Sequence, residues 1–153
     1  MSRNGLEIFD TTLQETNHWL KRVMEVLETD NRKLAFAALR ATLHVLRDRI
    51  GPANAVHLGA QLPMLLRGAY YEDWRLSDTP TRERHVDGFL AHIDANLPRN
   101  AQIGAGEAAR ATFEGLMECL DGGEVEKLMR LLPTEIRSLS TWYVDETQPQ
   151  LAI

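Results

Sequence analysis

Displaced by 70 positions, the sequence matches itself. Ala38, Arg40, Ala41, Thr42 and Leu46 fall on Ala108, Arg110, Ala111, Thr112 and Leu116, and Leu58, Leu62, Pro63 and Arg67 fall on Leu128, Leu132, Pro133 and Arg137. These nine identities occupy the 31 positions 38–68 without a gap, where ordinary residue frequencies would give about two. Conservative pairs lie between them, among them Leu43 with Phe113, Ile50 with Leu120 and Leu66 with Ile136. Upstream, Trp19, Leu20 and Val23 meet Phe89, Leu90 and Ile93. A chain built this way is expected to fold as two copies of one unit, each presenting an apolar face that needs a partner layer.

The period inside each copy is helical. Leu39, Leu43, Leu46 and Ile50 step by four, three and four, which lines one face of a helix, and Ala109, Phe113, Leu116 and Leu120 repeat the pattern. "GP" at Gly51–Pro52 and "DGG" at 121–123 mark the turns that follow. Short helices are predicted over about 53–61 and 124–131. A recurring "LP" then starts a fourth helix at Pro63 and Pro133, where a missing N–H costs nothing. First helices are predicted over about 12–28 and 83–96. No stretch sustains a period of two with β-branched residues, so no sheet is expected. The predicted fold is an all-α helical bundle of two pseudo-symmetric four-helix repeats within one domain, 1–153. Repeat one covers about 12–74, a polar linker 75–84, repeat two about 83–144 and a frayed tail 145–153.

With 153 residues, 44% of them hydrophobic and a mean hydropathy of −0.30, the chain is large enough to bury a core unaided. The net charge of −5 argues against sequence-independent nucleic-acid binding. The basic clusters Arg47 with Arg49, and Arg82 with Arg84, are interrupted by acids and are read as solvated helix faces. Cys119 is the only cysteine, so no intramolecular disulfide forms. In "LMECLDGG" it is expected to be buried and inert. Neither an apolar signal core in "MSRNGLEIFDTT" nor a membrane-length apolar run is found, so a soluble, cytoplasmic protein is expected.

The strings "ALRATLHVLRDRI", "LGAQLPMLLRGAYYEDW" and "LMRLLPTEIRSL" resemble the bacterial family catalogued as domain of unknown function 2267, over roughly 15–142. The resemblance implies a small all-α prokaryotic protein with two related halves. It implies no activity, catalytic residue or cofactor, because the family has none assigned.

A search for chemistry returns little. His44 with Asp48, and His85 with His92, could each share a helix face. A zinc or di-iron site needs three or four convergent ligands, and bundle di-metal sites use Glu-x-x-His strings in pairs on facing helices, and no such pair is found. The second copy places Glu114, Lys127 and Gly88 where the first has His44, His57 and His18, so the histidines read as surface positions and no metal is expected. "GAGEAA", Gly104–Ala109, follows a turn-like stretch rather than a strand, and is read as a helix start instead of a dinucleotide loop. No nucleophile elbow or P-loop occurs. Glu72 and Asp73 are adjacent and would point in different directions on a helix. No catalytic residue and no cofactor are assigned.

Divergence between the copies marks where function could sit. Pro63, Arg67, Pro133 and Arg137 recur and are read as structural, each arginine capping helix carbonyls or pairing a carboxylate within its own unit. "GAYYEDW", 68–74, aligns with "SLSTWYV", 138–144, without an identity. Tyr70, Tyr71, Glu72, Asp73 and Trp74 are therefore the candidate interaction surface, since such aromatics give large contact area at little rotamer cost. The alternative role for the aromatics is to seal the bundle end against the linker or against Trp142 and Tyr143. Three functions are open: a non-enzymatic interaction or adaptor module binding another protein or itself, which the sequence favours; a small apolar ligand binder with a cleft between the repeats; or an enzyme whose site is assembled by folding from His44, His57 or His92 beside carboxylates.

Overall fold

The computed structural model describes residues 5–141. Helices α1 (Glu7–Leu27), α2 (Arg32–Arg49), α3 (Pro52–Ala60) and α4 (Met64–Tyr71) make up the first half. Helices α5 (Val86–Asn96), α6 (Ala105–Cys119), α7 (Gly122–Arg130) and α8 (Thr134–Arg137) make up the second. Among the described residues there is no strand, as the sequence predicts, and no helix is long and apolar enough to cross a membrane. The bounds of α3 and α7 differ by 70 at both ends, and α4 and α8 start 70 apart. The predicted end of the second repeat, 142–144, lies outside the described residues. So do Trp142 and Tyr143 as packing partners and the tail 145–153.

Local chemistry accounts for the helix ends. The Asn31 side chain accepts the Leu34 N–H at 3.1 Å and caps α2. Gly51, at φ +90°, reverses the chain between α2 and α3, and Pro52 opens α3. The second copy makes this turn differently. Leu120 and Asp121 take extended conformations, so Gly122 and Gly123 enter the first turn of α7 rather than the cap. Pro63 and Pro133 adopt nearly the same backbone, φ −55° and −59°, immediately before α4 and α8. At α6 the "GAGEAA" string is a helix start, with the Glu107 carboxylate accepting the Gly104 N–H at 3.3 Å.

One core runs through both halves. Helix α6 packs along α1 and α2, and α5 packs on both α2 and α6. Both central helices carry small buried residues, Ala38, Ala41 and Thr42 on α2 and Ala108, Ala111 and Thr112 on α6. Thr112 Oγ1 donates to the Ala38 carbonyl at 3.5 Å, which shows how closely the backbones approach. Phe89 stacks on Phe113 with centroids 6.4 Å apart, and Leu39, Leu43, Leu46 and Leu116 are buried in the same core.

The linker 75–84 is tied down rather than loose. It contains a 3-10 turn, Leu76–Asp78, and a cis Thr79–Pro80 bond. Thr81 N–H donates to the Asp48 carbonyl at 2.7 Å, and Arg49 Nε donates to the Glu83 carbonyl at 2.6 Å. Arg49 is therefore not part of a free solvated face.

Two helical glycines should behave oppositely. A Cβ at Gly115 would lie 3.6 Å from Val23 Cγ2, an ordinary contact, so Gly115→Ala should stabilise by up to about 1 kcal/mol through reduced chain entropy. A Cβ at Gly59 would collide with the Tyr71 hydroxyl, so Gly59→Ala should destabilise by about 1–3 kcal/mol through overpacking. Urea midpoints of the two variants test the contrast.

Candidate functional site

The diverged segment is organised from within by Arg47. This residue is 3% exposed, which corrects its assignment to a solvated face. Its Nη1 donates to the carbonyls of Tyr70 and Glu72, both at 2.7 Å, and its Nε donates to Asp48 Oδ1 at 2.9 Å. The guanidinium carbon lies 5.9 Å from the Trp74 ring centroid. The last carbonyls of a helix lack intrahelical partners and attract positive charge. A buried arginine at the end of α4 answers both demands, its Nη1 amino group giving one N–H to each carbonyl while Nε holds Asp48.

His44 works beside it. The sequence places His44 among surface histidines, but it is 4% exposed, and its Nε2–H donates to the Ala69 carbonyl at 2.7 Å. Burial lowers its pKa below the ordinary 6.5, against the opposing pull of the Ala69 carbonyl, and the cations Arg47 and Arg40 lower it further. The remaining histidines, 18, 57, 85 and 92, are exposed.

The aromatics are largely committed. Tyr70 is 0% exposed, and its hydroxyl donates to the Ala55 carbonyl at 2.6 Å, so it leaves the candidate surface. Burial raises its pKa well above the ordinary range. Tyr71 and Trp74 are half-buried and stack with centroids 5.5 Å apart, and Tyr71 also meets the edge of Tyr70 at 5.0 Å. Glu72 and Asp73 remain exposed and converge on Arg40, at 3.0 and 3.7 Å. That convergence departs from the expected divergence because α4 stops at Tyr71 and Asp73 takes φ +58°. Arg67 caps from the other side: Nε donates to the Gly59 carbonyl and Nη2 to that of Leu62, both at 2.9 Å. Arg137 reaches Thr134 Oγ1 at 3.2 Å. Pro63 is buried and Pro133 half-buried.

A concavity lies elsewhere, between the two halves. It measures about 310 Å³ and is walled by residues 70 positions apart: Ile50 with Leu120, Asn54 with Glu124, His57 with Lys127, Leu58 with Leu128, and Gln61 with Leu131. Ile50, Leu58, Leu120 and Leu128 are buried and give it an apolar interior. At the rim His57 Nε2 lies 2.7 Å from Glu124 Oε2, linking α3 to α7, and Lys127 stands 3.7 Å from the same carboxylate group. No single motif announces this cleft, because its walls come from separated helices. The 70-residue offset is the sequence signal that pairs them.

The fold also makes a juxtaposition that a helix-by-helix reading passes over. His18 on α1 meets Glu118 and Cys119 at the end of α6. The Glu15-x-x-His18 spacing is the sequence signal on α1. Cys119 is half-buried, and burial, reinforced by Glu118, pushes its thiol up to about 12.

Two outcomes follow from the packing around α4. Arg47→Met, which installs the residue of the second copy, should strip the carbonyls of Tyr70 and Glu72 of their buried donor and cost about 3 kcal/mol. Chemical denaturation measures it. For His44, the unfolded chain takes up a proton near pH 6.5 while the folded one resists. Its stabilising contribution is therefore full above that pH and is lost as pH falls. Wild type should lose more stability than His44→Gln between pH 7.5 and 5.5, measured by urea titration at each pH.

Among curated proteins no relative matches the chain. A family model described as an uncharacterized conserved protein matches residues 16–139, which include α2 to α8, both walls of the cleft and the whole aromatic segment. The chain belongs to that family, DUF2267.

Proposed function

We propose that this protein is a non-catalytic binder of a small apolar molecule, held in the cleft between the two halves. The observation that carries the reading is the cleft itself, apolar inside and walled by paired residues of both repeats. Its volume of about 310 Å³ falls at the lower end of ordinary ligand pockets. That is about twice the ~150 Å³ that accommodates benzene in an engineered cavity, so a two-ring ligand is the right scale. The polar groups at the rim, His57, Glu124 and Lys127, could orient one polar substituent.

A second reading, the interaction or adaptor module, is favoured by a different observation. Phe9, Leu13, Met64 and Leu65 are exposed on the two helices joined by the hydrogen bond from Leu65 N–H to Thr12 Oγ1 at 2.8 Å. On this reading, with Tyr70 buried, partner contact falls to these residues and to the exposed Glu72 and Asp73.

Calorimetric titration with naphthalene derivatives separates the two. The cleft reading expects saturable one-to-one binding, weakened at least about tenfold (~1.4 kcal/mol) by Gln61→Trp, which fills the mouth from an exposed position. Binding that ignores this substitution, or no binding by the wild type, would overturn it.

A further inference from the structure

We propose that His18, Glu118 and Cys119 form a binding site for a zinc-like transition-metal ion, clamping α1 to α6. One ligand atom from each residue lies within 4.8 Å of the other two. A tetrahedral zinc centre, with bonds of about 2.0–2.3 Å, holds its ligands roughly 3.3–3.8 Å apart, so closure needs shifts of only about 1 Å. The side chains that must move are free to do so: His18 and Glu118 are 60% and 46% exposed. The backbones that carry them are fixed by the packing of Trp19 and Val23 against Gly115. The site is thus preorganised on two helices while its ligands retain rotamer freedom.

The donor set selects the ion. An imidazole, a carboxylate and a thiolate together suit a borderline-soft metal rather than calcium or magnesium. Glu118 divides its oxygens suitably, with Oε2 facing His18 Nε2 at 3.7 Å and Oε1 facing Arg22 Nε at 3.8 Å. Oε2 is then the ligand, while Arg22 orients the carboxylate from behind, a common outer-shell arrangement. Glu15 and Gln14 line the same surface hollow as His18 and Cys119, and a solvent water takes the fourth position. Cys119 enters as a protonated thiol, and its Sγ–H bond breaks as Sγ–metal forms. One proton is released to solvent per ion bound. No electron is transferred.

The metal itself is the probe. Cobalt(II) added to the reduced full chain should give one equivalent of tetrahedral cobalt, with thiolate-to-metal charge transfer in the near ultraviolet. Cys119→Ser should abolish the charge-transfer band. His18→Ala changes an exposed residue and spares the core; it should weaken binding by about tenfold or more. His92→Ala, at an exposed histidine far from the cluster in sequence, should bind as the wild type does. Zinc titrations in buffers of different ionisation enthalpy should report proton release. Absence of the charge-transfer band in the wild type, or an identical cobalt isotherm for His18→Ala, would overturn the proposal. Circular dichroism of each variant separates lost binding from lost fold.

Discussion

Helices α2 and α6 approach closely at the centre of the molecule. Ala38, Ala41 and Thr42 on α2 and Ala108, Ala111 and Thr112 on α6 are small and buried, and Thr112 Oγ1 reaches the Ala38 carbonyl. These are also the residues that recur between the copies. With that seam set, larger groups fill the flanks, Trp19, Leu20 and Val23 from α1 and Phe89 and Ile93 from α5. Close-packed interiors transmit the cost of a misplaced methylene, so this seam tolerates little change in volume.

Departures from the repeat are where the halves acquire different chemistry. His44 stands against Glu114, Arg47 against Met117 and Tyr70 against Ser140. In the first half these residues meet at one place, the C-terminal end of α4, where buried donors satisfy the carbonyls of Ala69, Tyr70 and Glu72. Trp74 then packs over the arginine. The aromatic segment is thus largely the finish of a helix end, and its exposed remainder is acidic. The cleft differs in kind, because both halves contribute corresponding positions to its walls. Shared architecture makes the apolar interior, and divergence at the rim supplies its charged groups.

Much of this fold was legible in the sequence because apolar periodicity and turn residues act locally. The steps from Leu39 to Ile50, and the prolines at 63 and 133, determine helices and breaks within a few residues. Boundaries moved where the local signal was ambiguous, as at α1, which starts at Glu7 rather than near 12. Side-chain fates were less accessible. Arg47 looks like a solvated charge when read beside Asp48 and Arg49, since the carbonyls that bury it lie 23 and 25 residues away. His44 is misread for the same reason. The cluster of His18, Glu118 and Cys119 spans a hundred residues of chain and exists only after α1 meets α6. Burial and convergence are properties of the packed molecule, and a pattern of neighbours along the chain carries neither.

The apolar space between the halves is the proposed ligand site. Methyl-resolved NMR tests it most directly, with ¹³C-labelled leucine and isoleucine and a two-ring apolar probe titrated into the intact chain. A ligand in the cleft should give saturable shifts at Ile50, Leu58, Leu120 and Leu128, with the deep-core methyls of Leu39 and Leu43 unmoved. Shifts confined to Leu13 and Leu65, or no saturable shift at any methyl, would contradict it.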